Sequence, residues 1–374
     1  MRRIEDRWFQ LRDALLSDRR FQRWAAAFPL TRLVARRRAL QAFDLCAGFV
    51  YSQILHACVR LGVLERLKEG PCTVDALASQ IGLSCDSTKR LLRAAQAIGL
   101  VAQRRPQGTD ERFGLGAAGA AFLANPGALR MIEHHELFYR DLADPVALMR
   151  NPDIPTELSR YWAYATADKP ADLKAGDVDG YTALMAASQT LVCEEILDAY
   201  DFSRHRCLLD VGGGNGTFLA AVGARVSRLE LILFDLPAVA AHARERFDTL
   251  GMSGRAKAIG GDFRQDPLPL GADVISFVRV LHDHDDATVD LLLRKANAAL
   301  APGGVVVVAE PMSDTPGAAR VADAYFGFYL AAMKSGRPRS PEQLSLMLRR
   351  NGFCDVRRIP THMPMQTSVL SARI

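Results

Sequence analysis

The stretch LLDVGGGNGTF, residues 208–218, places a short apolar run directly before three alternate glycines and a helical pattern directly after them. Glycines at 212, 214 and 216 let the backbone approach a ligand closely and direct its amides toward it, as in nucleotide-cofactor turns. Taken alone, such a turn is a weak signal. It predicts a strand, a turn and a helix with a nucleotide-containing ligand at the turn.

Short apolar runs alternate with helical patterns from about residue 191 to the end of the chain. The runs cover residues 207–211, 229–234, 256–260, 272–278, 305–309, 355–359 and 368–372. The helical patterns cover residues 191–200, 217–226, 238–250, 286–300 and 340–351. This alternation predicts an α/β, Rossmann-like domain with a mostly parallel seven-stranded sheet, whose ligand lies beyond the carboxyl ends of the strands.

Three acids lie at the ends of the first three runs: Asp210 is at the mouth of the glycine turn, Asp235 follows the second run and Asp262 follows the third. Asp235 lies where a carboxylate binds the ribose hydroxyls of a nucleotide cofactor. A pyrophosphate would be repelled by such a group of acids, whereas the sulfonium and ammonium of S-adenosylmethionine would be attracted. Helix capping explains any one of these aspartates but not all three, so the sequence favours S-adenosylmethionine as the cofactor.

The motifs LLDVGGGNG, LILFDLP, IGGDF and VLHDHDD occur in the order and spacing of a known family. They resemble the small-molecule O-methyltransferases that include plant caffeate methyltransferases and many bacterial pigment and antibiotic enzymes. The resemblance covers essentially the whole chain, because that family begins with a winged-helix-like dimerisation domain. It implies that Asp235 binds the ribose, Asp262 and Phe263 the adenine, and Gly212 and Gly214 the methionine part.

The resemblance also implies that His282, which opens HDHDD at residues 282–286, is the catalytic base. In methyl transfer the enzyme mainly aligns the acceptor oxygen and removes its proton, and imidazole that is neutral near pH 7 can accept it. Glu310 matches an acid that orients the histidine. The sequence departs from the family at Pro338, where a second acid is expected, and at Val278, which replaces a polar cofactor contact.

Three other interpretations of HDHDD remain open. A metal site lacks a third nearby histidine, so no metal is expected. His282 as the cap of a helix starting near Asp286 is a structural alternative. His284 as the base is disfavoured, because it occupies the tryptophan position of the family motif.

The N-terminal half divides into an arm (1–38), a winged-helix-like dimerisation domain (39–125) and connecting helices (126–190), followed by the catalytic domain (191–374). The apolar spacing over 39–67 predicts a long amphipathic helix that ends near Gly62. Helices capped by Thr73 and Ser84 follow, and a hairpin surrounds a charged turn from Arg104 to Arg112. A winged helix also occurs in DNA-binding regulators. The second capped helix is rich in apolar residues, so a homodimer is expected and nucleic acid is not.

The arm is strongly basic. Residues 1–38 hold eleven arginines and four acids, a net charge of +7 against about −2 for the rest of the chain. Aromatic residues lie between the arginines, which suits peripheral contact with an anionic membrane; an arm packed on a partner subunit is the alternative. No uncharged apolar run of spanning length and no signal core are found, so we expect a cytoplasmic protein, peripheral at the inner or photosynthetic membrane. The seven cysteines are odd in number and form no CxxC pair, which argues against a disulfide framework or a zinc ribbon.

A large apolar substrate is indicated by methionine and aromatic residues in the connecting helices and after the fifth run. The candidate contacts are Met131, His135, Met185, Tyr325 and Met333. Residues 20–55, RFQRWAAAFPLTRLVARRRALQAFDLCAGFVYSQIL, resemble the acyclic carotenoid O-methyltransferases of purple photosynthetic bacteria. That resemblance implies methylation of the tertiary C1 hydroxyl of a carotenoid such as demethylspheroidene or hydroxyneurosporene. A phenolic polyketide or tetrapyrrole substrate, and an inactive ligand-binding regulator, are the alternatives.

Overall fold

The computed structural model describes residues 2–107, 110–167 and 169–374, and the chain divides into two compact units, Met1–Leu123 and Ala124–Ile374. The helices of the first unit are α1 (Arg2–Ser17), α2 (Arg19–Ala27), α3 (Arg32–Arg60), α4 (Val63–Lys68), α5 (Val74–Ile81), α6 (Cys85–Ala97) and α7 (Ala117–Leu123). Its strands are β1 (Cys72–Thr73), β2 (Val101–Gln107) and β3 (Asp110–Leu115).

The predicted winged-helix pattern is confirmed in the first unit. The Thr73 hydroxyl accepts a hydrogen bond from the Ala76 amide (3.3 Å), and Ser84 accepts one from the Ser87 amide (3.2 Å), so both are N-caps. β2 and β3 pair antiparallel, and β1 adds to β3. The residues predicted as a charged turn, 104–112, lie mostly in these strands, because a small exposed sheet presents charged side chains to solvent.

Helix α3 begins earlier than predicted and ends at Arg60, where Gly62 takes a left-handed conformation (φ 64°) before α4. Within the described part of the chain, α3 is the one helix long and apolar enough to cross a membrane by length and composition. Most of α3 is exposed in the single chain, whereas a core helix of a soluble protein that meets the same criterion is mostly buried.

The second unit continues the chain with ten helices in its described part. They are α8 (Pro126–Asp141), α9 (Pro145–Arg150), α10 (Glu157–Tyr161), α11 (Ala163–Thr166), α12 (Ala175–Ala199), α13 (Thr217–Arg225), α14 (Pro237–Thr249), α15 (Asp286–Ala299), α16 (Gly327–Met333) and α17 (Pro341–Arg350). Short 3₁₀ turns cover Pro170–Asp172, Phe202–Arg204 and Leu281–Asp283, and a π-helix covers Arg320–Phe326. The strands are β4 (Cys207–Val211), β5 (Glu230–Asp235), β6 (Ala256–Gly260), β7 (Val274–Val278), β8 (Val305–Glu310), β9 (Cys354–Ile359) and β10 (Ser368–Arg373).

The strands of the second unit form one sheet in the order β6-β5-β4-β7-β8-β10-β9 within the described ranges. The first five are parallel, whereas β10 is antiparallel to both β8 and β9. The predicted mostly parallel sheet is therefore confirmed. Strand order reverses at β4, which pairs with β5 on one side and β7 on the other, and ligands of such sheets bind at this switch point.

Two predicted boundaries differ from the structure. The helical pattern at 191–200 is the last part of α12, which begins at Ala175. The predicted connecting helices, 126–190, belong to the second compact unit and contribute an aromatic cluster with the π-helix region.

Candidate active site

A cleft of about 880 Å³, including its open mouth, lies at the glycine turn between β4 and α13. Gly212, Gly214 and Gly216 take positive φ values of 71°, 60° and 77°. A Cβ at Gly212 would lie 2.8 Å from Val280, and one at Gly216 would lie 2.7 Å from the Phe247 ring, so conformation and packing both require glycine there. Gly214 faces open space and leaves the floor of the cleft clear for a ligand.

Asp235 ends β5 and lines the cleft. Its Oδ2 accepts a hydrogen bond from the Gly214 amide (2.8 Å), and its Oδ1 accepts one from the Leu236 amide (2.7 Å). Burial raises the pKa of Asp235 to about 6, although these two amides act in the opposite direction. Each oxygen keeps a further lone pair, so the carboxylate can also accept the ribose hydroxyls.

Asp262 and Phe263 follow β6 and line the same cleft. Asp262 is buried, and its Oδ1 accepts a hydrogen bond from the Arg264 amide (2.8 Å), which fixes the loop. The Phe263 ring lies edge-on to His284, with centroids 5.2 Å apart. This aromatic corner suits a planar base such as adenine.

Asp210 lies beneath the glycine turn and is completely buried. Its Oδ1 accepts a hydrogen bond from the Ser276 hydroxyl (2.6 Å), and a Cβ at Gly213 would lie 2.6 Å from its Oδ2. Burial raises the pKa of Asp210 to about 7; Ser276 opposes this shift and Asp235 adds to it. Asp210 therefore acts on the cleft through its charge and through the shape of the turn.

Arg279 is a cleft residue that sequence reasoning missed. It follows β7 in a left-handed conformation (φ 58°), and its guanidinium donates to the Ser188 hydroxyl (2.9 Å) and contacts the Met185 sulfur (3.4 Å). Burial lowers the pKa of Arg279, which nevertheless remains a cation, and nearby Asp283 opposes the decrease. Such a cation can bind the carboxylate end of an amino-acid moiety. The sequence signal that could have identified Arg279 is its position directly after β7, a strand whose residues are all buried.

His282 lies on the 3₁₀ turn after β7 with a carboxylate near each ring nitrogen. Its Nε2 is 3.1 Å from Asp283 Oδ1, and its Nδ1 is 3.4 Å from Glu310 Oε2, an ionic contact longer than a usual hydrogen bond. The His282 amide also donates to Glu310 Oε2 (3.1 Å). Tyr164 donates its hydroxyl to Asp283 Oδ2 (2.8 Å), which fixes that second carboxylate.

The charge of His282 differs from the sequence expectation of an imidazole neutral near pH 7. Burial alone lowers its pKa, but Asp283 and Glu310 outweigh burial and raise the pKa to about 9. From the sequence, Glu310 was the only acid expected to orient the His282 ring. The close approach of Asp283 arises because the 3₁₀ turn folds this neighbouring side chain back toward the ring.

A second cavity of about 370 Å³ adjoins the cleft and is lined by His282 and Asp283. Of the predicted substrate contacts, Met131, Met185, Tyr325 and Met333 line it. His135 reaches it through Tyr325, whose hydroxyl is 2.8 Å from His135 Nε2. Further aromatic walls come from Trp162, Tyr164, Phe326 and Tyr329.

The alternatives for HDHDD are resolved in part by geometry. His284 lines the cofactor cleft and not the second cavity, and burial lowers its pKa to about 4. It therefore does not face the acceptor cavity and is a weaker base than His282. The N-cap of α15 is Asp285, which accepts from the Thr288 amide (2.8 Å), so the capping role proposed for His282 is wrong. Among the described residues, no group of three potential metal ligands is found and the cysteines are free thiols.

The switch-point cleft with its glycine turn and acids, beside a cavity holding a buried histidine, defines an enzyme that uses S-adenosylmethionine to methylate an oxygen. The chain belongs to the O-methyltransferase family: a model described as an O-methyltransferase domain matches residues 139–354, and one described as an O-methyltransferase dimerisation domain matches residues 43–125. The predicted dimerisation module is thus confirmed.

Two relatives and one solved structure show which O-methyltransferases this chain is similar to. The chain is 45% identical over 363 residues to the demethylspheroidene O-methyltransferase of Cereibacter sphaeroides, covering 96% of this chain and 93% of the relative. It is 42% identical over 344 residues to the Rhodobacter capsulatus enzyme of that name, covering 92% and 84%. Its fold is similar to human N-acetylserotonin methyltransferase in complex with S-adenosylmethionine, with a TM-score of 0.76, 23% identity, and coverage of 90% and 97%.

Proposed function

We propose that this enzyme methylates the tertiary C1 hydroxyl of an acyclic carotenoid such as demethylspheroidene or hydroxyneurosporene. The observation that carries the proposal is 45% identity, over 96% of the chain, to a demethylspheroidene O-methyltransferase. A cavity beside His282, lined mainly by methionine and aromatic side chains, is consistent with it. A carotenoid is far longer than this cavity, so only its hydroxyl-bearing end enters.

Different residues of the site would bind the cofactor and position the acceptor hydroxyl. S-adenosylmethionine, when bound in the cleft, supplies the methyl group as an electrophile. Asp235, Asp262 and Phe263 would hold its nucleoside part, and Arg279 would hold its carboxylate. The second cavity would hold the acceptor hydroxyl beside His282.

His282 removes the hydroxyl proton in its neutral form. In that form Nδ1 keeps its proton, which faces Glu310 Oε2 at 3.4 Å, and Nε2 presents its lone pair to the acceptor hydroxyl in the second cavity in place of its 3.1 Å contact with Asp283. The proton of the acceptor hydroxyl would pass to Nε2 as the oxygen receives the methyl group. A tertiary alcohol is only weakly acidic, so proton removal accompanies methyl transfer, and the two carboxylates stabilise the imidazolium that results.

Incubation with labelled S-adenosylmethionine and either hydroxylated acyclic carotenoids or a panel of phenols and tetrapyrroles tests this proposal. We expect a methyl ether at C1 of the carotenoid by mass spectrometry, with phenols inert. His282→Ala should abolish turnover while changing cofactor affinity little. Methylation of phenols or tetrapyrroles alone would refute the substrate, and an active His282→Ala variant would refute the base.

The dimerisation domain and the exposed apolar side chains of α3 support a homodimer. Leu40, Phe43, Leu45 and Phe49 are between 61% and 87% exposed in the single chain. So many large apolar side chains on one helix require a covering surface. Light scattering should give twice the mass of the chain, 41.0 kDa; a monomer at micromolar concentration would refute the homodimer.

We further propose that α1 contacts an anionic membrane surface, which places the enzyme on the cytoplasmic side of the inner or photosynthetic membrane. Trp8, Leu11 and Leu15 are exposed and lie on one face of the helix, since they are three and four residues apart. Arg7 and Arg12 flank that face. The opposite side of the helix carries Asp6 and Asp13, an arrangement typical of helices that lie in a lipid interface.

Flotation with neutral and anionic liposomes tests the membrane contact. We expect salt-sensitive binding to anionic vesicles that is lost in the double variant Arg7→Gln/Arg12→Gln. Asp6→Asn/Asp13→Asn, on the opposite face, is the matched control and should bind at least as well. If the arginine variant changes oligomeric mass but not flotation, the arm packs on a partner subunit and the membrane proposal is wrong.

A further inference from the structure

The segment Ser335–Arg339 lies against the turn that carries His282. Four consecutive backbone carbonyls of that turn each accept a hydrogen bond from the segment. The pairs are Arg339 Nη1 to Leu281 (2.8 Å), the Arg337 amide to His282 (2.9 Å), the Ser335 hydroxyl to Asp283, and Arg339 Nη2 to His284 (2.7 Å). Residues 335–339 therefore donate a hydrogen bond to each of the backbone carbonyls of residues 281–284.

Arg339 anchors the segment. Its side chain is fully buried, and besides the two carbonyls it contacts Asp286 Oδ1 through Nε (2.9 Å) and Nη2 (2.7 Å). Burying a cation carries a large desolvation cost unless it is paired and hydrogen-bonded, and here both conditions are met. The flat guanidinium reaches two carbonyls and a carboxylate at once, which a lysine ammonium cannot reproduce.

Gly336 shows how closely the segment approaches the turn. It takes φ 73°, and a Cβ on it would lie 2.0 Å from the His282 carbonyl oxygen. The segment follows α16 directly, through Lys334, whose left-handed conformation (φ 63°) ends that helix. Since Met333 lines the second cavity, the substrate wall and the catalytic turn are joined by a few residues.

We propose that Ser335–Arg339 is a positioning clamp, with Arg339 as its anchor, that holds the His282 ring between Glu310 and Asp283. These hydrogen bonds end on the backbone carbonyls of residues 281–284 and on Asp286, so the clamp acts through the backbone of the turn. Pro338 contributes no acid here, so the segment orients the histidine by fixing its main chain. The inference rests on His282 as the base proposed above.

The first test measures the pKa of His282 in the absence of substrate, because that pKa depends on how close the ring lies to its carboxylates. Protein labelled at histidine carbons is titrated by NMR, and the His282 resonance is assigned with His282→Gln. We expect Arg339→Lys and Ser335→Ala to lower the His282 pKa toward its ordinary value, because the ring moves away from its carboxylates. With the accepted substrate, kcat should fall about tenfold or more for Arg339→Lys and about threefold for Ser335→Ala, with cofactor affinity nearly unchanged.

Arg350→Gln is the matched control, because it removes an arginine–aspartate pair between α17 and α15 (Arg350 with Asp290) that does not contact the turn. It should leave the His282 titration and kcat unchanged. Ser335→Ala removes one surface-proximal bond and keeps the experiment decisive if Arg339→Lys fails to fold. A folded Ser335→Ala or Arg339→Lys protein with the wild-type titration overturns the clamp. If the titration shifts but His282→Ala retains activity, the clamp stands and the proposed base is wrong.

Discussion

The contact between Glu310 and His282 makes a quantitative prediction about the pH dependence of the reaction. With its pKa raised to about 9, only about one His282 ring in a hundred is neutral at pH 7. A tertiary alcohol does not titrate in this range, so the pH profile of kcat/KM reports the free enzyme alone. We expect kcat/KM to increase about tenfold from pH 7 to pH 8, to reach half its maximum near pH 9 and to level above that pH.

Glu310→Gln perturbs this balance with little change in shape. It removes the charge 3.4 Å from Nδ1, so the midpoint of the profile should fall by about one pH unit or more. The plateau should also fall, because the imidazolium formed during the reaction loses a stabilising carboxylate. The activity of the variant relative to wild type is therefore higher at pH 7 than at pH 9.

The assay measures initial rates with the proposed carotenoid substrate in detergent micelles at constant ionic strength, from about pH 6 to about pH 10.5, so that the plateau above the pKa of about 9 is reached. Glu195→Gln is the matched control, since Glu195 is a remote acid that accepts a hydrogen bond only from the Met363 amide in the described part of the chain (2.9 Å). A wild-type profile that is flat from pH 7 to pH 9, or a Glu310→Gln midpoint equal to that of wild type, would refute the assignment of His282 as a base tuned by these carboxylates.

Three further outcomes are expected. Burial raises the pKa of Asp210 to about 7 and that of Asp235 to about 6, and the cationic cofactor should bind the ionised carboxylates. Calorimetry should therefore show a cofactor affinity that increases as the pH rises from about 5.5 to about 7.5, with protons released on binding. Asp235→Asn should weaken binding and flatten the lower part of this pH dependence. Gly212→Ala should lower the free energy of unfolding by about 1–3 kcal/mol in denaturant titrations, because of its positive φ and the Val280 contact. Met333→Ala should raise the KM for carotenoid severalfold while cofactor affinity stays within about twofold; equal losses for both ligands would contradict a wall specific to the second cavity.

The sequence predicted the sheet well because its information is local. Most strands of the sheet are short apolar runs next to a turn, with β9 (CDVRRI) as the exception, and Asp210 and Asp235 lie at the carboxyl ends of β4 and β5. The N-caps at Thr73 and Ser84 were predictable for the same reason. What these signals share is that a few consecutive residues determine the outcome.

The rest depended on contacts between distant segments. Nothing in HDHDD indicates that Asp283 folds back on the imidazole or that residues 335–339 bond to the turn, because both depend on backbone geometry. The left-handed conformation of Arg279 likewise has no composition signal. The start of α12 at Ala175 was missed because its first half packs in the aromatic cluster and lacks a simple amphipathic period.

The hydrogen bond from the Gly214 amide to Asp235 has a consequence for cofactor binding. The carboxylate expected to bind the ribose already braces the turn on which the cofactor rests, so little chain ordering remains to accompany binding. The Gly214 amide should therefore exchange its hydrogen slowly even before cofactor is added. An inhibitor that mimics only the nucleoside would then meet a rigid receptor, and its selectivity would depend on shape rather than on induced closure.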